Sequence, residues 1–384
     1  MAIELTLILR ACAPLALHRT RTKRQFVESL EYVPGSTVRG AFAALYISHF
    51  GVDADFKTIF LEDKVFFPDL WPARENTDSV LLPLSARACK RYGISHQRSL
   101  TDSLLPEMAQ TKAEHVCPEC NGKLDRVGGY LLSSTPIEQL HLGSRLRMNT
   151  AIDGATGSVA HGQLFSHHTI IGHHLPGDKS EREPEDILFK GRVYVNLADI
   201  APFEKLRKLT DDEKYLSFGN SRSRGLGEVE IVRWQETTAE IPSLQTRWQD
   251  FNRAAKKFSQ NKTEKYFSVS LVSHLCLRDK FLRPILSEID AQHFDPTLVE
   301  DNELPRFVAS VTVPGWNAVL GMPKPDSVAL GRGSVWLFRI EASKEFEILP
   351  KLAALEKNGL GERRAEGFGR LSICHPFHYQ LHEV

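Results

Sequence analysis

The chain opens on an alternating pattern. Ile3, Leu5, Leu7 and Leu9 alternate with Glu4, Thr6, Ile8 and Arg10, and this period of two predicts a half-buried strand. Far downstream, Phe267, Val269 and Leu271 alternate with Ser268, Ser270 and Val272 and predict a second such strand. The first strand leads into Pro34-Gly35-Ser36 and then Val38, Ala41, Phe42 and Leu45. Apolar positions three and four apart predict an amphipathic helix, with Ser36 as its cap. Helices also fit 203–214 and about 348–358. The latter has Leu352 and Leu355 on one face and Gly359 just past its end, where a C-cap glycine belongs.

These elements recur. A shift of 142 positions lays Gly191-Arg192-Val193-Tyr194-Val195 on Gly333-Ser334-Val335-Trp336-Leu337. The same shift lays Gly219, Arg222, Gly225, Gly227 and Ile231 on Gly361, Arg364, Gly367, Gly369 and Ile373. Seven identities at fixed spacing over about forty residues indicate a duplication. Strands mixed with two helices per copy predict an α+β fold of two ferredoxin-like domains in tandem. The first spans 1–238 and the second 264–384, with a polar stretch from Gln235 to Lys265 linking them. The first copy is longer by about 120 residues, which assigns it an insertion at about 70–185.

Composition narrows the reading. A chain of 384 residues, 42% hydrophobic and 9% aromatic, can fill packed cores of two domains. Lys plus Arg is 48 and Asp plus Glu is 48, so nucleic-acid affinity must come from local clusters rather than overall charge. No apolar run is long enough to span a membrane. No signal-peptide pattern opens the chain. Six cysteines are too few for a disulfide scaffold and fit a reducing cytoplasm.

Two of those cysteines form Cys117-Pro118-Glu119-Cys120, followed by the turn Asn121-Gly122. Two thiolates at this spacing can close on one tetrahedral ion. Cys89 and His96 are the best second pair, with His115 in reserve, so a structural zinc knuckle is expected inside the insertion. A redox role would want a thioredoxin-like βαβ context, which the pattern lacks. Four protein ligands would leave no open position for metal catalysis.

The duplicated segments Gly219-Asn-Ser-Arg-Ser-Arg-Gly-Leu-Gly227 and Gly361-Glu-Arg-Arg-Ala-Glu-Gly-Phe-Gly369 each precede a final strand. Gly219, Gly225 and Gly227 in the first, and Gly361, Gly367 and Gly369 in the second, permit positive φ and close backbone approach. Backbone N–H groups, with Arg222 and Arg224 or Arg363 and Arg364, can then hold phosphate. Neither loop is a Walker motif. Glu362 and Glu366 flank the second pair of arginines, so the first loop is expected to contribute more to RNA affinity. The second is expected to lean towards a protein partner. Arg19, Arg21, Lys23 and Arg24 lie on a loop after the first strand and suit a nucleic-acid arm. Ser36 and Arg39, at the start of the first helix, could meet a phosphate there. Asp153-Gly154 signals a hairpin. In that segment His167-His168 and His173-His174 put only one ring of each pair on a given strand face, which favours exposed or RNA-facing rings over a metal site.

Taken together, Tyr32-Val-Pro-Gly-Ser-Thr-Val-Arg-Gly40, the Arg/Gly loops ending in Gly-Leu-Gly227 and Gly-Phe-Gly369, and Ala151-Ile-Asp-Gly-Ala-Thr-Gly157 resemble the CRISPR-associated RAMP superfamily. The glycine loop before the last strand is that superfamily's hallmark. With Cys89-Lys90, His96 and the C-x-x-C, the chain is most similar to the Csx-ten RAMP subunit of type III-D effector complexes. Gly-Arg-Gly-Ser-Val-Trp-Leu-Phe338 also resembles subunits that hold the 5′ handle of the guide RNA. The resemblance implies an RRM-related fold and RNA binding without chemistry. The implied partners are guide RNA (crRNA), the large Cas-ten subunit and the backbone RAMP subunits, with target RNA nearby. The alternative it leaves is a metal-independent endoribonuclease that matures guide RNA with His18 as general base.

Overall fold

A computed structural model describes residues 2–18, 26–109, 116–133, 137–174, 185–236, 242–259, 263–287, 289, 291–293, 304–317 and 320–380. It is a mixed α/β, sheet-rich protein built around two antiparallel sheets. In the first, strand Ala2–Ala11 is central, between Leu188–Asn196 and Glu228–Glu236. Tyr215–Ser217 extends one edge, and Val65–Phe66 with Trp71–Ala73 extends the other. The second sheet runs Arg306–Phe307, Val335–Glu341, Glu264–Leu271, Leu371–Ile373. In both, the last strand of the unit pairs with its first, and the first also pairs with the long strand that precedes the helix before that last strand.

The alternation explains the central strand. Leu5, Leu7 and Leu9 are buried against Phe42, Tyr46, Phe203 and Leu206 from helices Gly35–Phe50 and Ile200–Asp212. The expected helix at about 348–358 is Glu345–Asn358, ended by Gly359 at φ 72°. The hairpin at Asp153 is present as strands Leu142–Ile152 and Val159–His174, and the Asp153 carboxylate accepts the Ala155 and Thr156 N–H groups. A second hairpin, Ser310–Asn317 with Met322–Leu330, was not anticipated. The two attach alike: Leu15 pairs both ways with Ile170, and Leu275 with Leu330.

Two expectations are corrected. Ser36 does not cap its helix. The helix begins at Gly35 after Pro34, and the Gly35 N–H donates to the Asp69 carboxylate at 2.8 Å. Second, the stretch between the copies is more than a polar linker. Leu244–Ala255 is a helix, capped by Ser243, that buries Trp248, Phe251, Ala254 and Ala255. The second unit's two expected helices are not both seen among the described residues, with 294–303 lying outside them. Among the described residues only the short turn Ala291–His293 lies between its first and second strands. The Leu244–Ala255 helix packs on that sheet, with Trp248 stacked on Phe267 at 5.9 Å and Asn252 bonded to the backbone of Tyr266.

The insertion is not self-contained. Its Leu104 and Leu105 sit in the same core as Phe267, Trp336 and Leu352. The Leu84 N–H donates to the Gly333 carbonyl. No helix among the described residues is long and apolar enough to cross a membrane. Because Trp248 lies fully buried in the second core, Trp248→Ala should cost about 3–5 kcal/mol. Urea denaturation monitored by far-UV circular dichroism checks this, and an unchanged midpoint would contradict the placement of the helix.

Candidate metal centre and glycine loops

Cys89 ends the strand Ala86–Cys89, which pairs with Thr101–Asp102 and Leu124–Arg126. From there the chain turns back, with the Gly93 N–H donating to the Cys89 carbonyl at 2.7 Å. Cys117 and Cys120 lie on a second tight turn. The Asn121 N–H donates to the Cys117 carbonyl and the Cys117 N–H to the Gly122 carbonyl. Asn121 takes the left-handed φ of 54° that the turn demands. Buried Ser99 joins the parts: its hydroxyl accepts the Cys89 N–H and bonds to the carbonyls of Gly93 and His96. Nothing in the sequence pattern had singled out Ser99.

All four expected ligands converge, their donor atoms within 4.8 Å of one another. Cys89 Sγ is 3.6 Å from Cys120 Sγ, and His96 Nδ1 is 3.4 Å from Cys117 Sγ. A tetrahedral ion with metal–sulfur bonds of about 2.3 Å spaces its sulfur ligands about 3.8 Å apart, so the donor set fits one. Burial works against the Cys89 thiolate, but N–H groups of Tyr92 and Arg91 and the neighbouring thiols outweigh it and lower the thiol's pKa. The His96 ring stacks on Tyr92 at 4.3 Å. The reserve ligand His115 lies outside the described residues.

The two glycine loops share one backbone path. Gly219, Ser221, Gly225 and Gly227 have positive φ, and so do Gly361, Arg363, Gly367 and Gly369 at the same spacing. Gly227 donates to the Pro14 carbonyl and Gly369 to that of His274; two residues further on, Ala16 and Cys276 accept from Asn220 and Glu362. A Cβ on Gly227 would lie 2.0 Å from the Phe218 carbonyl oxygen, and one on Gly369 would lie 1.8 Å from that of Leu360. Only glycine fits at either place.

Their surroundings differ. Arg222 and Arg224 are exposed. Asn220 of this loop lies 3.4 Å from His18 Nδ1, so the start of the basic arm and the first loop are neighbours. Arg19, Arg21, Lys23 and Arg24 themselves lie outside the described residues. In the second loop Arg363 pairs with Glu366 at 2.7 Å, bonds to Ser327 and stacks over Phe368 at 4.3 Å. Arg364 reaches the Asn358 carbonyl. This loop is packed on the first unit: the Phe67 N–H donates to the Ala365 carbonyl, and a Cβ on Gly367 would lie 2.7 Å from the Phe67 oxygen. The protein surface it leans on is therefore this chain's own.

That contact also changes the reading of Ser36 and Arg39. The helix start that could have met a phosphate faces Asp69 and the second glycine loop, and the Arg39 guanidinium donates to the Phe60 carbonyl. Burial pushes the Asp69 carboxyl up to about 6, against the opposing pull of Gly35 N–H and Arg332. Arg332, from the Gly-Arg-Gly-Ser segment, stacks on Tyr32 at 3.7 Å and bonds to the Tyr130 hydroxyl at 2.5 Å. Of the paired histidines, His168 Nδ1 accepts the Ser29 N–H at 3.4 Å. The other three rings are outside the described side chains.

A further polar cluster has no sequence signal, because its members are far apart in the chain. His378 Nδ1 lies 2.9 Å from Asp102 and its Nε2 lies 2.8 Å from the Ser270 hydroxyl, all three buried. It ties the knuckle sheet to the central strand of the second unit.

No family model matches the chain, and no curated protein matches it. Among solved structures, the chain is similar to a chain of the type III-B Cmr-beta complex bound to cognate target RNA. The identity is 13%, over 95% of this chain and 96% of that one, with a TM-score of 0.45. It is also similar to a chain of the Csm3-Csm4 subcomplex in the type III-A CRISPR-Cas interference complex. There the identity is 13%, over 87% and 92% of the two chains, with a TM-score of 0.37.

The geometry of the cysteines yields an expected outcome. Purified wild type should hold about one metal ion per chain by elemental analysis, and Cys117→Ser should hold far less. The variant should also unfold at lower temperature, since metal-binding energy is folding energy in such turns. Wild type free of bound metal, yet as stable as metal-treated protein, would contradict the site.

Proposed function

We propose that this chain is a non-catalytic RNA-binding subunit of a type III CRISPR effector complex, of the RAMP superfamily and most like the Csx-ten subunit of type III-D complexes. In this reading the two sheets are two RRM-related ferredoxin-like domains in tandem, and the bound ion is a structural zinc held by Cys89, His96, Cys117 and Cys120. The observation that carries the reading is the asymmetric pair of glycine loops. One backbone path is used twice, once packed inside the protein and once left open with Arg222 and Arg224 exposed. The open copy can present two guanidinium forks to an RNA backbone. The expected ligand is guide RNA, held at its 5′ handle, and the expected neighbours are the large Cas-ten subunit and the backbone RAMP subunits. A zero net charge suits a subunit that shares RNA with other proteins.

The decisive experiment co-expresses the chain with its effector partners and sequences the RNA that co-purifies. A defined species with a constant 5′ segment supports the proposal, and RNA absent from every preparation overturns it. For the chain alone, Arg222→Ala/Arg224→Ala should flatten the log–log salt dependence of single-stranded RNA binding by about 1.4, or about 0.7 per lost phosphate contact. Arg363→Ala/Arg364→Ala should leave that slope nearly intact and lower stability instead, because Arg363 is engaged with Glu366. Equal effects on the slope would remove the asymmetry from the proposal.

The second reading is the endoribonuclease. It is favoured by the proximity of His18 to the first loop, which would bring a general base to a phosphate site. Labelled guide precursor should remain uncut by wild type. Cleavage that disappears in His18→Ala would establish the enzyme instead.

A further inference from the structure

The duplication reaches a segment the repeat pattern did not cover. In the first unit the chain passes Pro14 and Ala16, which accept bonds from the glycine loop, and then closes a bridge between His18 and Ser29 around the basic arm. In the second unit it passes His274 and Cys276, which accept the matching bonds, and closes a bridge between Arg278 and Pro284. The counterpart of the arm is thus Arg278-Asp279-Lys280-Phe281-Leu282-Arg283, with three cations and one acid.

Asp279 shapes this turn. Its carboxylate accepts the N–H groups of Phe281 and Arg283 at 2.8 and 2.9 Å, and the Arg283 side chain at 2.8 Å. The Leu282 N–H donates to the Asp279 carbonyl, and Arg278 closes the turn by donating to the Leu282 carbonyl. The result holds an aromatic ring outwards: Phe281 is 66% exposed. Lys280 Nζ lies 5.2 Å and Arg283 Cζ 5.1 Å from its centroid. Arg278 pairs with Glu362 of the second glycine loop, fixing the turn to it.

We infer that Phe281 is a stacking platform for an unpaired nucleotide base, with Lys280 and Arg283 holding the adjoining phosphates. The inference rests on the proposed RNA-binding function and adds a base contact where the glycine loop itself is closed. An exposed ring fixed by a tight turn loses little freedom on stacking, and every base has a π-face to offer it. Three cations against one acid in six residues match the charged phosphate backbone of a nucleic acid. The second unit thereby meets RNA through this turn, while its glycine loop holds the two units together.

Fluorescence anisotropy of the full chain tests this, with a labelled single-stranded uridine oligomer of about twelve nucleotides and an abasic oligomer of equal length. Phe281→Ala should weaken the uridine oligomer about ten-fold, Phe281→Trp should retain it, and the abasic oligomer should bind wild type and Phe281→Ala alike. Lys280→Ala/Arg283→Ala should weaken both oligomers and flatten their salt dependence. Wild-type binding with no loss in Phe281→Ala overturns the platform and leaves the first-loop reading standing. Full affinity in Phe281→Leu also overturns it, since any apolar side chain would then serve. A co-purifying protein lost from Phe281→Ala, with oligomer affinity unchanged, makes the turn a protein contact. Wild type that binds neither oligomer overturns the RNA-binding function and the platform together.

Discussion

The arrangement of the molecule depends on one backbone-to-backbone contact between Gly35 and Gly367. A Cβ on Gly35 would lie 2.4 Å from the Phe67 carbonyl oxygen and 2.6 Å from that of Glu366, and one on Gly367 would lie 3.3 Å from the Gly35 Cα. Neither position has room for a side chain, so the start of the first helix and the second glycine loop meet main chain to main chain. Asp69 answers the helix N-terminus from one side, while Arg332, wedged between Tyr32 and Tyr130, places its charge close by. This contact turns two similar units into one body and makes them unequal. One loop is used for the seam, and its twin is left facing outwards.

Much of this was legible in the residues, and the remainder was hidden for identifiable reasons. The central strands, the helices before the last strands and the Cys117/Cys120 pair all follow from local pattern. Period two, period 3.6 and C-x-x-C spacing each report on atoms that are near one another in sequence. The glycine spacing likewise announced a shared backbone path, because positive φ is costly for other residues. The contacts that give those loops different fates are between residues far apart in the chain, such as Gly35 with Gly367 or Ser270 with His378 and Asp102. No periodicity encodes them. Ser36 illustrates the limit: its residue type suits a cap, yet a carboxylate thirty-three positions beyond it serves the helix start instead. The helix Leu244–Ala255 was hidden differently. Trp248, Phe251, Ala254 and Ala255 have helical spacing, but the polar residues between them gave the stretch the look of a linker.

The knuckle is connected to more than its own small sheet. Leu104 and Leu105 follow the strand that carries Asp102 and fill part of the second core. His378 bridges that same Asp102 to Ser270 on the second unit's central strand. An ion held by the cysteines would therefore stabilise residues of the insertion that act as part of the second unit's core. Through-space packing has exchanged material between the copies without any exchange of chain.

The helix that precedes the second unit has a consequence for where that unit begins. Among the described residues, the place between that unit's first two strands holds only a short turn, while the covering helix arrives from upstream of the first strand. Among the described residues the two copies share a strand order, and one wall of the second core is encoded in the joint between them. That joint is a structural part of the second unit, so the boundary of the repeat does not coincide with the boundary of the folded unit.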